Sequence, residues 1–158
     1  MTRAQELIEG YGLKRHPEGG WFAEDYTCPW DKEGRPLAGS IFFLLDGEEL
    51  SHFHQIDCDE LWYYHEGCGL TITVLLNGKC VRLHLGMGSG ERASVLLPAG
   101  AVFAAENREK SGYTFLSCAT SPAFRYEGFR LISRAELEEL IPEEASKLRY
   151  LAAEEEKT

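Results

Sequence analysis

Between residues 51 and 67 the chain reads S-H-F-H-Q-I-D-C-D-E-L-W-Y-Y-H-E-G. Alternate side chains of a strand share a face, so His52 and His54 are expected to project together, and a turn over residues 57–59 would return Glu60 on a neighbouring strand. Two imidazoles and a carboxylate aimed at one point can hold a divalent metal with open positions, or bind and deprotonate an organic molecule without one. In the first reading His52, His54 and Glu60 are metal ligands. In the second, His54 is the base, and Glu60 orients it and stabilises the charge it acquires. Trp62 and Tyr64 would follow Glu60 on the same face, supplying an aromatic wall and a phenolic acid. The cofactor is accordingly either none or a divalent metal.

Glu18, in the stretch H-P-E-G-G, is a further candidate. The two glycines permit close backbone approach, so its carboxylate either meets a ligand or caps the turn. His16 beside Pro17 reads as structural, His65 as a surface or interface residue, His84 as structural, and Arg125 as exposed or salt-bridged.

The elements that must position these groups are short. Thr2 with Gln5 forms a capping box, and Ala4, Leu7, Ile8 and Tyr11 recur at helical spacing, predicting a helix that Gly12 ends. A first strand is expected from Trp21 to Tyr26, then an exposed loop over residues 31–39 and a buried strand over residues 41–45. Further strands are expected at 51–56, 60–65, 70–76, 80–85, 94–97, 102–105, 113–120 and 129–131. Asn77 and Gly78 supply the positive φ values of a type I′ hairpin. Ser133 with Glu136 marks a second helix start, Pro142 a third, and the tail after Ala153 should fray. Antiparallel strands closed into a barrel or sandwich, with helices at the ends, fit this order.

One domain spanning residues 1–158 suits the length. The 16 basic and 26 acidic residues leave a net charge of −10, which repels nucleic acid and anionic membrane surfaces and leaves a small-molecule ligand as the expected partner. Five cysteines without a CxxC pair, no signal segment and no long apolar run point to reduced thiols in the cytoplasm.

The segment around His52, His54, Glu60 and Gly67 resembles the first cupin motif, with five residues rather than three or four between His54 and Glu60. Pro98, Gly100, Phe103 and Asn107 align with the second motif, Phe103 standing where that motif has a third ligating histidine. HPEGGWF (16–22), SIFFLL (40–45), SHFH (51–54), DELW (59–62), PAG (98–100) and SPAFRYEGFRL (121–131) together resemble the Cupin_5 (DUF985) family. The resemblance implies an all-β cupin fold, the double-stranded β-helix or jelly-roll barrel of RmlC-like proteins, with a short N-terminal helix and C-terminal helices. It also implies a homodimer and a pocket inside the barrel, which Glu18, His52, Trp62, Phe103 and Asn107 would line. Pairing through an exposed early strand, residues 21–26, would serve such a dimer.

The resemblance names no reaction, because this fold hosts epimerases, isomerases, dioxygenases and non-catalytic binders. The leading expectation is a small-molecule-binding cupin, an isomerase or epimerase of a sugar-like compound working by proton transfer through His54, Glu60 and Tyr64 without a metal. The alternatives are a metal-dependent, non-haem iron dioxygenase-like enzyme on His52, His54 and Glu60, and a non-catalytic metabolite binder or sensor.

Overall fold

The computed structural model describes residues 1–154. Helix α1 (Arg3–Tyr11) starts at the expected capping box, where Thr2 and Gln5 exchange side chain to backbone hydrogen bonds, and stops at Gly12 with φ 65°. Strands β1 (Lys14–Arg15) and β2 (Trp21–Thr27) flank the 16–20 turn. The 31–39 stretch is not a plain loop. It folds into a small hairpin, β3 (Asp31–Lys32) and β4 (Arg35–Pro36), whose two-residue strands are too short to leave a hydrophobic period.

The barrel proper is built from β5 (Gly39–Asp46), β6 (Leu50–Ile56), β7 (Asp59–Gly67), β8 (Leu70–Leu76), β9 (Lys79–Leu85), β10 (Ser94–Leu97), β11 (Val102–Asn107), β12 (Tyr113–Ser121) and β13 (Phe129–Leu131). They form two facing antiparallel sheets, ordered β1-β2-β5-β12-β7-β10 and β13-β6-β11-β8-β9. This is the expected jelly roll. The β8–β9 hairpin turns at Asn77 and Gly78, with φ 53° and 72° as a type I′ turn requires.

Phe43, Leu45, Trp62, Ile72, Leu97, Phe103 and Leu116 fill the space between the sheets. Runs such as IFFLL in β5 and VFAA in β11 are apolar without alternation because both faces are covered. Outside the first sheet, Ala4, Leu7 and Leu13 pack on Leu44 and Phe115. Outside the second, Ile132, Leu137, Ile141, Leu148 and Leu151 pack on Phe53, Leu75, Val102 and Ala104. Those last residues belong to α2 (Arg134–Leu140), α3 (Ala145–Leu148) and the turns around them. Ser133 caps α2 by accepting from the Glu136 N–H. Pro142 sits in the turn before α3 rather than starting it, and Leu148 and Leu151 are buried while Tyr150 faces solvent. The fraying expected of the tail falls, for residues 155–158, outside the described residues. Among the described residues no helix is long and apolar enough to cross a membrane.

Candidate functional site

A cavity of ≈190 Å³ opens at one end of the barrel. Its floor is formed by His54 and Ile56 of β6, Glu60 of β7 and Cys118 of β12, with His16 and Glu18 reaching in from the turn before β2. Phe22 and Ile41 form walls, and Tyr26, Ser40, Phe124 and Tyr126 frame the opening. Antiparallel pairing of β12 with β7 sets Thr120 opposite Glu60, which brings the Cys118 and Thr120 side chains to the same floor.

The turn at residues 16–20 is what delivers Glu18. Gly19 has φ 106°, and a Cβ there would stand 1.9 Å from the Leu50 carbonyl oxygen, so only glycine lets this turn lie against β6. The Glu18 carbonyl is then held by β6, accepting from the His52 N–H at 2.8 Å. Its carboxylate is buried, with Oε2 2.8 Å from His54 Nε2.

The proton count at His54 follows from its two partners. Nδ1 lies 2.7 Å from the His52 carbonyl oxygen, which can only accept, so Nδ1 carries a proton. Nε2 faces Glu18, so the second proton is shared between imidazole and carboxylate. Burial disfavours the imidazolium, but the charge and hydrogen bond of Glu18 outweigh it and the pKa of His54 is raised. For Glu18, burial pushes upward and the His54 charge pulls further down, so its pKa is lowered. Both directions describe a buried imidazolium–carboxylate pair. His16 differs: its Nδ1 accepts from the Glu18 N–H at 3.1 Å, and burial lowers its pKa, so it is neutral.

Glu60 is the group poised to exchange protons. Burial, together with the negative charge of Glu18, pushes its pKa up to about 7, and His54 and the Trp62 indole, which donates to Oε1, offset only part of this. The Cys118 thiol lies beside it and is pushed well up by burial and by Glu60.

The expected roles of His52, Tyr64, Asn107, Trp62 and Phe103 need correction, and with them the metal set. His52 does not join His54. The Ser51 to His54 span of β6 opposes the shorter Ala105 to Phe103 span of β11, so β6 carries a bulge. The extra residue breaks the alternation. His52 turns its Nδ1 to the Glu18 carbonyl at 2.9 Å and is absent from the cavity lining. The metal set His52, His54, Glu60 is therefore not assembled. Among the described residues no three His, Cys, Asp or Glu side chains converge as a metal site would require, and Phe103 packs edge-on against His54, with centroids 4.3 Å apart, where a third imidazole would stand. The residues present do not fit a catalytic metal.

Tyr64 shares the face of Glu60, as expected, but four residues of strand separate them by roughly 13 Å. Its hydroxyl donates to the Gly67 carbonyl at 2.7 Å, away from the cavity. Asn107 does not reach the cavity either. It ties the opposite end of the barrel, donating to the carbonyls of Leu45 and Gly47 and accepting from Thr114 Oγ1 at 2.7 Å. Trp62 and Phe103 lie behind the floor, Trp62 holding Glu60 and Phe103 backing His54, rather than facing a ligand.

His54, Glu60 and Glu18 are thus brought together. His16, Cys118, Thr120, Phe124 and Tyr126 complete the site and were not expected there. His16 could have been found from its place in the same turn as Glu18; the others carry no local signal. Arg125 is salt-bridged to Asp57 at 3.0 Å, and His65 bonds Ser117 on an exposed face.

Two packed antiparallel sheets with a cavity at one mouth, its wall largely apolar and its floor carrying buried acidic groups, define a cupin barrel. The chain belongs to the Cupin_5 family, cupin superfamily (DUF985), whose family model matches residues 5–132. It is similar to a solved Shewanella oneidensis protein, at 32% identity with a TM-score of 0.92, covering 98% of this chain and 100% of that one. A hypothetical protein from Leishmania major is similar at 29% identity, TM-score 0.87, over 96% of this chain and 99% of that one. An uncharacterised protein of Saccharomyces cerevisiae is 26% identical over 171 residues, covering 94% of this chain and 85% of its own.

Proposed function

We propose that this cupin binds a small organic molecule in the barrel mouth and acts on it as a metal-independent isomerase of a sugar-like compound. The observation that carries the reading is Glu60, a buried carboxyl facing the cavity with its pKa pushed up to about 7, beside the Glu18–His54 pair. A carboxyl that exchanges protons near neutrality can take a proton from a hydroxyl-bearing carbon next to a carbonyl and return it to the carbonyl carbon, while the hydroxyl proton passes to the carbonyl oxygen, so that the carbonyl and hydroxyl groups exchange places. The base is then Glu60 rather than His54, whose imidazolium offsets the negative charge that builds up during the transfer. Tyr64 takes no part in this scheme.

A thermal-shift screen of sugars and small carbonyl compounds identifies ligands, since a site held at about a hundred times its dissociation constant gains roughly 2.7 kcal/mol of stability. Hits incubated in D₂O should acquire deuterium at the carbon next to the carbonyl, and E60Q should abolish it. Unaltered exchange in E60Q would remove the proposed base. The second reading, a non-catalytic binder, is favoured by Tyr64, the expected acid, whose hydroxyl is tied to the Gly67 carbonyl and which is absent from the cavity lining. It predicts ligand stabilisation without exchange.

We propose a homodimer paired along β2. Beyond Phe22, the outer edge of β2 has no strand partner among the described residues, and Tyr26 stands exposed on it.

A further inference from the structure

Glu18, Glu24 and Glu60 all line the cavity, and among the described lining residues there is no lysine or arginine. The one positive group, the His54 ring, is already paired with Glu18. Arg35 and Arg125, on the segments that frame the opening, lie outside the lining and converge on Asp57. Much of the remaining wall is aromatic, from Phe22, Phe124 and Tyr126, and the last two rings meet edge-on with centroids 5.1 Å apart.

This lining sorts ligands by charge. A phosphate or carboxylate would enter a desolvated space that holds carboxylates and offers no free counter-charge. A cation gains from the carboxylates and from the negative faces of the rings, and both attractions strengthen as water is excluded. The net charge of −10 also raises the local concentration of cations around the molecule. A neutral polyol could use the same acceptors but would gain nothing from the charge.

Taking the cavity as the ligand site proposed above, we infer that its ligand is a small organic cation, an amine or quaternary ammonium compound, an amino sugar being the form on which the proposed isomerase would act. Its charged nitrogen sits among the Glu18 and Glu60 carboxyls and the Phe22, Phe124 and Tyr126 rings.

The test is calorimetric titration of the full chain with choline, with 3,3-dimethylbutan-1-ol, which keeps the shape and lacks the charge, and with glucose. Choline should bind at least about tenfold more tightly than the other two. The preference should shrink in E60Q and, to a smaller degree, in E24Q, whose side chain lies at the rim and whose replacement leaves the floor intact. Equal affinity for choline and its uncharged isostere, or tighter binding of glucose, overturns the cation while leaving a ligand site. No binding of choline up to about 10 mM also overturns it. The ligand site itself falls only if the wider thermal-shift panel also stabilises nothing, and the isomerase reading is decided separately by the deuterium exchange.

Discussion

Glu18 and Glu60 are both buried carboxyl groups on one cavity floor, and their surroundings drive their pKa values apart. Glu18 has a positive partner at 2.8 Å and stays ionised; Glu60 has the Glu18 charge near it and an indole as its main donor. The folded state therefore holds a proton on Glu60 at pH values where the unfolded chain has lost it. That contribution to stability is complete below the ordinary carboxyl value of 4.5 and is lost as pH rises through about 7. Glutamine keeps an acceptor for Trp62 and cannot ionise. E60Q should thus be more stable than the parent by on the order of 3 kcal/mol near pH 8 and by little near pH 4, measured by urea unfolding at both values. A gap independent of pH would mean that Glu60 titrates as an ordinary carboxyl. At His54 the sign is opposite: E18Q removes the counter-charge, burial then dominates, and the ring should become neutral at pH values where the parent is still protonated. Histidine ring shifts followed by NMR across the titration check this, and an unchanged His54 curve would dissociate the pair.

Among the elements, the 16–20 turn and β6 do most to build the site, and two glycines separate conformational from steric demand. Gly78 has φ 72° with open space around it, so G78A should cost only the left-handed backbone penalty of about 1–2 kcal/mol. Gly19 adds a collision with the Leu50 carbonyl, which belongs to rigid sheet. G19A should therefore cost more, about 2–4 kcal/mol, and should also displace Glu18 from His54. Thermal unfolding of both variants, with the His54 titration as the local readout, tests the difference; equal destabilisation would show that the turn yields. The helices add a further layer. Leu148, fully buried against the second sheet, should cost about 2–5 kcal/mol as L148A, read by chemical unfolding, while leaving the cavity on the other side of that sheet unchanged.

For the whole molecule, the feature that bears on assembly is the outer edge of β2, which beyond Phe22 has no strand partner among the described residues. With β2 as the pairing edge, gel filtration at low micromolar concentration should return twice the 17.8 kDa of one chain. Elution at the monomer position would remove that interface. The succession of barrel strands, the starts of α1 and α2 and the Asn77–Gly78 hairpin were readable from hydrophobic period and turn chemistry, because these depend on near neighbours; the start of α3 was misplaced at Pro142. The family marks pointed to a cupin barrel, and the family match and the fold agree. The pairing of His52 with His54 failed because a bulge costs one residue of register and has no signature in side-chain pattern. Tyr64 failed because a shared face says nothing of distance along a strand.

What the residues in order determined, then, was an acidic chain of short strands with His54, Glu60 and Glu18 as its polar candidates. Tertiary structure alone decided which of these meet. Glu18 lies more than thirty residues from its partner, the charge on His54 is set by a carbonyl and a carboxylate brought from different elements, and Glu60 holds its proton only because burial and the Glu18 charge outweigh its donors. Hydrogen bonds, burial and charge proximity act through space, so the chemistry of this cavity comes into being only when the barrel closes.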